Sequence, residues 1–181
     1  MKLTTREMTY IAITPALMAA TAWVAIPLSI GAPITLQTLF VMICALLFTS
    51  KISTQSMIVY VLLGMIGIPI FAGFTGGFGV IVGPTGGFIV GFIIMAFFIS
   101  KMKNVKIINN EKIDIIIILV IANIILYMIG GTYMAFVLGT DIPRTIAILT
   151  PYIPGDILKI IVSLYAYLNI RSYVTYEGSQ I

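Results

Sequence analysis

Apolar residues fill this chain in long stretches that no charge interrupts. Positions 8–50 are 43 residues without Asp, Glu, Lys or Arg, and positions 52–100 are 49. A helix needs roughly 20 apolar residues to cross about 30 Å of hydrocarbon at about 1.5 Å per residue. Each stretch is therefore long enough for two crossings, which we expect to reverse at Gly31–Pro33 and in the Gly-rich segment 71–87.

Charges divide the last part of the chain more often. Positions 115–140 hold 26 uncharged residues between Asp114 and Asp141, enough for one crossing, and a shorter stretch between Asp156 and Arg171 brings the chain back. The pattern predicts an all-α membrane protein with six transmembrane helices. Their expected positions are about 8–30, 34–50, 52–70, 84–100, 113–138 and 155–171.

The composition agrees with a membrane protein. Hydrophobic residues make up 60% of the 181 and charged residues 9%, with a mean hydropathy of +1.15. A water-soluble domain of this size could not cover so much apolar surface, so we expect lipid as the solvent. Residues 1–181 are predicted to form one integral membrane domain.

The basic residues lie almost entirely on one face of the predicted bundle. That face holds Lys2, Arg6, Lys51, Lys101, Lys103, Lys106, Lys112 and Arg171, and the other holds Arg144. The positive-inside rule makes the first face cytoplasmic, with both chain termini inside and the Gly-rich connection outside. The net charge of +4 is therefore a topology signal, and no nucleic-acid partner is expected.

Several kinds of chemistry are excluded by residues that the chain lacks. It has no His, and its single Cys44 lies in an apolar stretch, so we expect no disulfide, no metal site and a packing role for Cys44. No Gly-Lys pair occurs, so a Walker A loop cannot form and no nucleotide hydrolysis by that route is expected. We expect no cofactor and no enzymatic activity.

The first apolar stretch also permits another interpretation. Lys2 and Arg6 precede a run that contains Ala20-Thr21-Ala22, which imitates a secretory signal with its cleavage site. Cleavage there would remove one crossing from an even set, so we expect a retained helix.

Glycines are concentrated in the connection FAGFTGGFGVIVGPTGGF, residues 71–88. Glycine permits positive φ and lets backbone approach a ligand closely, which suits a lid or pocket wall. The same glycines are also compatible with helix packing in lipid or with a re-entrant turn buried in protein.

The segment Pro154-Gly155-Asp156-Ile157-Leu158-Lys159 places opposite charges three residues apart on one helical face. Ionisable residues at membrane depth are costly and usually functional. Alternatively, Asp156 caps the helix and Lys159 reaches the headgroups or merely pairs with Asp156. Other polar residues near the outer helix ends are Thr35, Gln37, Thr38, Tyr127 and Tyr133.

The first predicted helix carries Ala12, Ala16 and Ala20 at steps of four, so the three lie along one stripe. Small residues let another helix approach closely. The stripe predicts close helix packing, either within the fold or against a partner subunit.

Four segments together resemble the BioY family, the biotin-specific substrate-binding (S) components of energy-coupling factor (ECF) transporters. They are LQTLF at 36–40, LLGMIGIPIFAG at 62–73, GPTGGF at 83–88 and PGDILK at 154–159. The resemblance implies a six-helix bundle in a prokaryotic plasma membrane that binds biotin under outer loops. It also implies a transmembrane coupling subunit and two ATPase subunits as partners.

The resemblance further implies which residues bind the substrate and which dock the partner. Substrate binding is expected at Asp156, Lys159, Gly73, Gly77, Phe78, Thr85, Phe88, Gln37 and Tyr133, and docking at Ala12, Ala16 and Ala20. The chain departs from the family pattern at Phe88, where Tyr is usual, and at Tyr133, where Trp is usual. Two alternatives are a small oligomeric channel or transporter for another solute, and a membrane enzyme that uses Asp156 and Lys159 as an acid/base pair.

Overall fold

The computed structural model describes residues 3–26 and 33–174, which are mostly helical. The helices are α1 (Thr5–Ala20), α2 (Gln37–Leu47), α3 (Ser50–Met65), α4 (Phe78–Val82), α5 (Gly86–Met102), α6 (Glu111–Leu138), α7 (Ile142–Leu149) and α8 (Ile153–Ile170). Short 3₁₀ turns lie at Ala72–Phe74 and Thr150–Tyr152. Strand β1 (Ala25–Ile26) pairs antiparallel with β2 (Ile34–Thr35) between α1 and α2.

The helix boundaries agree best with prediction in the second half of the chain. Helices α5, α6 and α8 each begin and end within two residues of the predicted spans. Helix α1 instead ends at Ala20, because the chain turns into the hairpin of β1 and β2, and α2 has only 11 residues. The expected end of the first span at residue 30 and the expected reversal at Gly31-Ala32 lie outside the described residues. Lys2 also lies outside them.

Two helical stretches of the described chain are long and apolar enough to cross a membrane by themselves. They are Glu111–Leu138 and the continuous run Ile142–Ile170, whereas Gln37–Leu47 and Gly86–Met102 are apolar but shorter. At about 1.5 Å per residue, α2 covers only about half of the hydrocarbon thickness. The short helices α4 and α7 were not predicted, since they lie in segments that read as loops.

The core lies where α5 packs against α2, α3 and α6, with α1 packed on α3 and α8 on α2. Many of its fully buried side chains are small or flexible, among them Met42, Ala45, Met57, Met95, Ala96, Leu119 and Ala122. Such residues let helices approach closely and fill irregular gaps. Cys44 is buried in a smaller cluster with Ile11, Phe48 and Ile52, which confirms its packing role.

Ion pairs join helix ends at one end of the bundle. Lys51 at the start of α3 lies 2.8 Å from Glu7 of α1, whose carboxylate also accepts from the backbone N–H of Thr4 at 2.8 Å. Arg171, just beyond α8, pairs with Glu111 at the start of α6. The first contact joins the start of α1 to the start of α3, and the second joins the end of α8 to the start of α6.

Lys103 caps a helix at the same end. Its ammonium donates to the carbonyl oxygens of Leu46 and Phe48 at 2.8 and 2.7 Å, which are groups that the end of α2 leaves without helical partners. Burial among these helix ends lowers the pKa of Lys103 to about 8. The residue therefore ties the end of α5 to the end of α2.

Candidate ligand-binding site

A cavity of about 490 Å³ opens at the opposite end of the bundle, beside the first turns of α2 and α8. Its wall is mostly apolar and aromatic, with contributions from Phe71, Val80, Phe88, Ile89, Phe92, Leu126, Leu149 and Tyr152. Polar groups enter it at Thr35, Gln37, Thr38, Thr75, Thr85, Tyr127, Asp156 and Lys159. A largely apolar cavity of this size with a few convergent polar groups is typical of a small-molecule site.

An ion pair in the first turn of α8 is the main polar feature of the wall. Asp156 and Lys159 lie one helical turn apart, with Nζ of Lys159 2.9 Å from Oδ1 of Asp156, and both side chains are 12% exposed. The same Nζ donates to Oγ1 of Thr38 on α2 at 3.0 Å. The hydroxyl of Tyr127 on α6 donates to Oδ2 of Asp156. The pair thus connects three helices around the cavity.

Contacts with the described residues use only part of the hydrogen-bonding capacity of Asp156 and Lys159. An ammonium has three protons, and the bonds to Asp156 and Thr38 use two of those on Lys159. A carboxylate accepts about four hydrogen bonds, and Asp156 accepts from Lys159 and Tyr127. Among residues 3–26 and 33–174, nothing else occupies the third proton of Lys159 or the other acceptor sites of Asp156, so these can serve a ligand.

Two aromatic rings of the wall are seated on glycines. A β-carbon at Gly64 of α3 would overlap the ring of Phe71, and one at Gly130 of α6 would overlap the ring of Phe88. The ring of Phe88 also meets Tyr127 edge to face, at 6.4 Å between centroids. The glycines therefore shape the cavity by letting these rings lie directly against the helices.

The Gly-rich segment is attached to the helices at two points. Gly73, at φ +68°, donates its N–H to the carbonyl oxygen of Ala22 at 2.7 Å, and Gly77, at φ +97°, donates to that of Gly64 at 2.7 Å. Positive φ at both positions favours glycine over other residues. The segment follows this path because its glycines permit the turns that bring both amides to their acceptors.

Six of the nine expected substrate-binding residues line the cavity: Gln37, Gly73, Thr85, Phe88, Asp156 and Lys159. Gly77, Phe78 and Tyr133 do not. Phe78 is 62% exposed at the start of α4, and the backbone of Gly77 is turned toward α3 by its bond to Gly64.

Tyr133 lies behind the cavity wall. Its hydroxyl donates to the carbonyl oxygen of Ile81 at 3.2 Å, and the absence of a side chain at Gly87 leaves room for it. It borders a separate shallow groove between α5 and α6. Tyr133 therefore lies outside the cavity, whereas Phe88 contributes its ring to the cavity wall.

Other residues of the cavity were not among the expected binding residues. The sequence marks Tyr127 and Thr38 only as polar residues, Phe71 only as the first residue of the Gly-rich connection, and Tyr152 only by its place between the last two predicted spans. Thr38 lies near the outer end of its predicted span, whereas Tyr127 lies near the middle of the span 113–138. Their contacts with Asp156 and Lys159 join residues 29 and 121 positions apart, which no local pattern indicates.

The three alanines of α1 lie on its exposed side, at Ala12, Ala16 and Ala20. The opposite side of α1 is buried at Ile11, Thr14, Pro15 and Met18, and packs mainly against α3. The stripe is therefore not used for packing within the described chain.

A helical bundle whose cavity carries a largely buried ion pair in an apolar wall defines a small-molecule binding protein of the membrane. The family model described as "BioY family" matches residues 1–176. The chain is 34% identical over 168 residues to the biotin transporter BioY of Thermotoga maritima, covering 92% of this chain and 96% of that protein. It is 33% identical over 182 residues to the biotin transporter BioY of Rhodobacter capsulatus, covering 93% and 94%.

The fold is similar to a solved one. The crystal structure of the S-component for biotin from an ECF-type ABC transporter superposes with a TM-score of 0.85 at 25% identity, covering 94% of this chain and 95% of that chain. The chain belongs to the BioY family. The resemblance seen in its sequence motifs is thereby confirmed.

Proposed function

We propose that this chain is the biotin-binding S component of an ECF-type vitamin importer, which captures biotin on the outer face of the cell membrane. The proposal is supported by its family, by relatives that are named biotin transporters and by its similarity to a biotin S-component. These relatives are named as transport proteins and not as enzymes. The observation that carries the proposal is the largely buried ion pair of Asp156 and Lys159 in a mostly apolar cavity wall.

Biotin matches the chemistry of this wall. Its ureido group offers two N–H donors and one strong acceptor, and charge-assisted hydrogen bonds in a dry cavity are stronger than neutral ones. In our proposal Asp156 accepts a ureido N–H, and the remaining proton of Lys159 is donated to a ligand oxygen. The fused rings lie against Phe71, Phe88 and Tyr152.

We also propose that the chain crosses the membrane six times with both termini in the cytoplasm. In this proposal the crossings are made by α1, α2, α3, α5, α6 and α8, each running in the opposite direction to the one before it. Lys51, Lys103 and Arg171 mark one end, and the cavity lies at the other. The positive-inside rule then makes the cavity face outward.

Transport across the membrane is proposed to need a transmembrane coupling subunit and two ATPase subunits. A face of α1 with three alanines at steps of four, exposed along its length, supports docking of a partner helix there. A bulky side chain at this stripe would prevent close approach without altering the cavity.

A binding experiment tests the proposed function. Detergent-purified protein is expected to bind radiolabelled biotin tightly, and excess thiamine or riboflavin should not displace it. Lys159→Met should weaken binding, whereas Lys101→Met removes the same charge at an exposed position on the other end of the bundle and serves as the matched control. Displacement by thiamine or riboflavin, or no binding at all, would contradict the proposal.

A further inference from the structure

A buried tyrosine connects the cavity to the start of the Gly-rich segment. Gln37, at the first position of α2, lines the cavity, and its Nε2 donates to the hydroxyl of Tyr60 on α3. That hydroxyl lies 3.1 Å from the carbonyl oxygen of Ile70, to which it donates. Tyr60 is 0% exposed, and its ring meets the ring of Phe71 nearly edge to face at 5.4 Å.

The carbonyl oxygen of Ile70 fixes which group donates and which accepts in these two hydrogen bonds. A backbone carbonyl can only accept, and a phenol hydroxyl has a single proton. Ile70 is buried, and its carbonyl oxygen has no second donor in the described part of the chain, so the proton of Tyr60 goes there. The hydroxyl then accepts from Gln37, and the amide must turn its NH₂ group toward Tyr60.

The opposite orientation of the amide is disfavoured. It would place the carbonyl oxygen of Gln37 against a hydroxyl whose proton is already used, or it would take that proton away from Ile70. Either arrangement leaves a buried acceptor without a donor, which is costly. The oxygen Oε1 of Gln37, which makes no hydrogen bond to residues 3–26 or 33–174, is therefore the end of the amide presented to a ligand.

We propose that Tyr60 is a positioning residue that sets ligand selectivity: it holds the amide of Gln37 so that the cavity offers a hydrogen-bond acceptor there and selects a ligand with an N–H donor. The inference rests on the proposed function, in which the donor is one of the two ureido N–H groups of biotin. Asp156 takes the other N–H. A ligand that places an acceptor opposite Oε1 of Gln37 brings two acceptors together and binds more weakly.

The test compares biotin with its two cyclic carbamate analogues, in each of which one ureido N–H is replaced by a ring oxygen. Wild-type protein is expected to bind biotin at least about tenfold more tightly than the carbamate whose oxygen faces Gln37. This ratio corresponds to about 1.4 kcal/mol of binding free energy. Tyr60→Phe keeps the ring and its packing but frees the amide to turn and donate. The preference for biotin over this carbamate should then fall at least about fivefold.

Two further variants separate positioning from stability. Gln37→Leu should abolish the same preference, and Tyr60→Phe added to Gln37→Leu should change it no further. Tyr165→Phe, which removes a hydroxyl from a side chain that is 71% exposed, should leave the preference at the wild-type value.

The outcomes are distinct. An unchanged preference in folded Tyr60→Phe would overturn the inference and leave the biotin proposal standing. Should Tyr60→Phe fail to fold, Gln37→Leu decides, because an unchanged preference in that variant overturns the inference equally. Failure of the wild-type protein to bind biotin would overturn the proposed function itself.

Discussion

Replacing Asp156 by Asn tests the central ion pair with little change of shape. The carboxylate lies 2.9 Å from Nζ of Lys159, accepts from Tyr127, and belongs to a residue that is 8% exposed. In Asp156→Asn the largely buried ammonium of Lys159 keeps its bond to Thr38 but loses its counter-charge. Breaking a buried pair by removing one partner costs about 3–5 kcal/mol of stability.

The same substitution should weaken ligand binding. A hydrogen bond to a charged group contributes about 1.5–3 kcal/mol, and about 1.4 kcal/mol is tenfold in affinity. We therefore expect Asp156→Asn to bind biotin at least about tenfold, and up to about a hundredfold, more weakly. The measurement is equilibrium binding of radiolabelled biotin to the purified variant below its unfolding temperature.

Adding Lys159→Met separates the loss of recognition from the loss of stability. The double variant has no buried charge without a partner, and replacing a whole buried pair by apolar or neutral groups is often neutral for stability. Its thermal unfolding in detergent should return toward that of the wild-type protein, while biotin binding stays weaker than in the wild-type protein. Wild-type affinity within about twofold in either variant would refute the assignment of this pair to ligand recognition.

Three other substitutions probe packing, docking and the charged end. Gly64→Ala forces the ring of Phe71 off α3, so we expect a loss of about 1–3 kcal/mol in the free energy of unfolding and weaker biotin binding. Ala16→Trp should leave biotin binding unchanged but abolish co-purification with the coupling subunit. Since Lys103 has a pKa of about 8 when folded and a higher one when unfolded, its buried charge disfavours folding most at low pH. The stability of the wild-type protein relative to Lys103→Met should therefore rise as the pH increases from about 7 to about 10 in thermal unfolding experiments.

The first two of these predictions have matched control variants, and the third has an outcome that would contradict it. Gly79→Ala adds the same methyl group where nothing lies within 4 Å, and it should be tolerated. Ile124→Trp places the same bulk on a 53% exposed position of α6 and should leave co-purification intact. A stability difference between Lys103→Met and wild type that does not vary with pH would show that burial of the ammonium is not coupled to folding.

The sequence predicts the fold best where charges delimit apolar stretches. Helix α6 lies between Asn110 and Gly139 and has charged residues near both ends. Its bounds therefore agree closely with the predicted span 113–138. Helix α2 is shorter than predicted, because Ile34 and Thr35 enter a strand paired to the end of the first crossing. Hydropathy is the same for an apolar strand and an apolar helix turn, so composition could not separate them.

Part of the candidate site could also be predicted from the sequence. Asp156 and Lys159 stand out because an ion pair is rare in an apolar chain, and Gln37 lies at a predicted helix start. The roles of Phe78 and Tyr133 depend on which way each helix is turned, and a glycine-rich segment gives little periodicity from which to infer that. The link from Gln37 through Tyr60 to Ile70 joins three separate segments and emerges only from the fold.

The buried carboxylate and ammonium of the cavity cancel each other's charge within one helical turn. Dissolved ions screen charges that face water, but they penetrate poorly between groups enclosed by protein. The contribution of this pair to capture should therefore be nearly the same in dilute media and in brine.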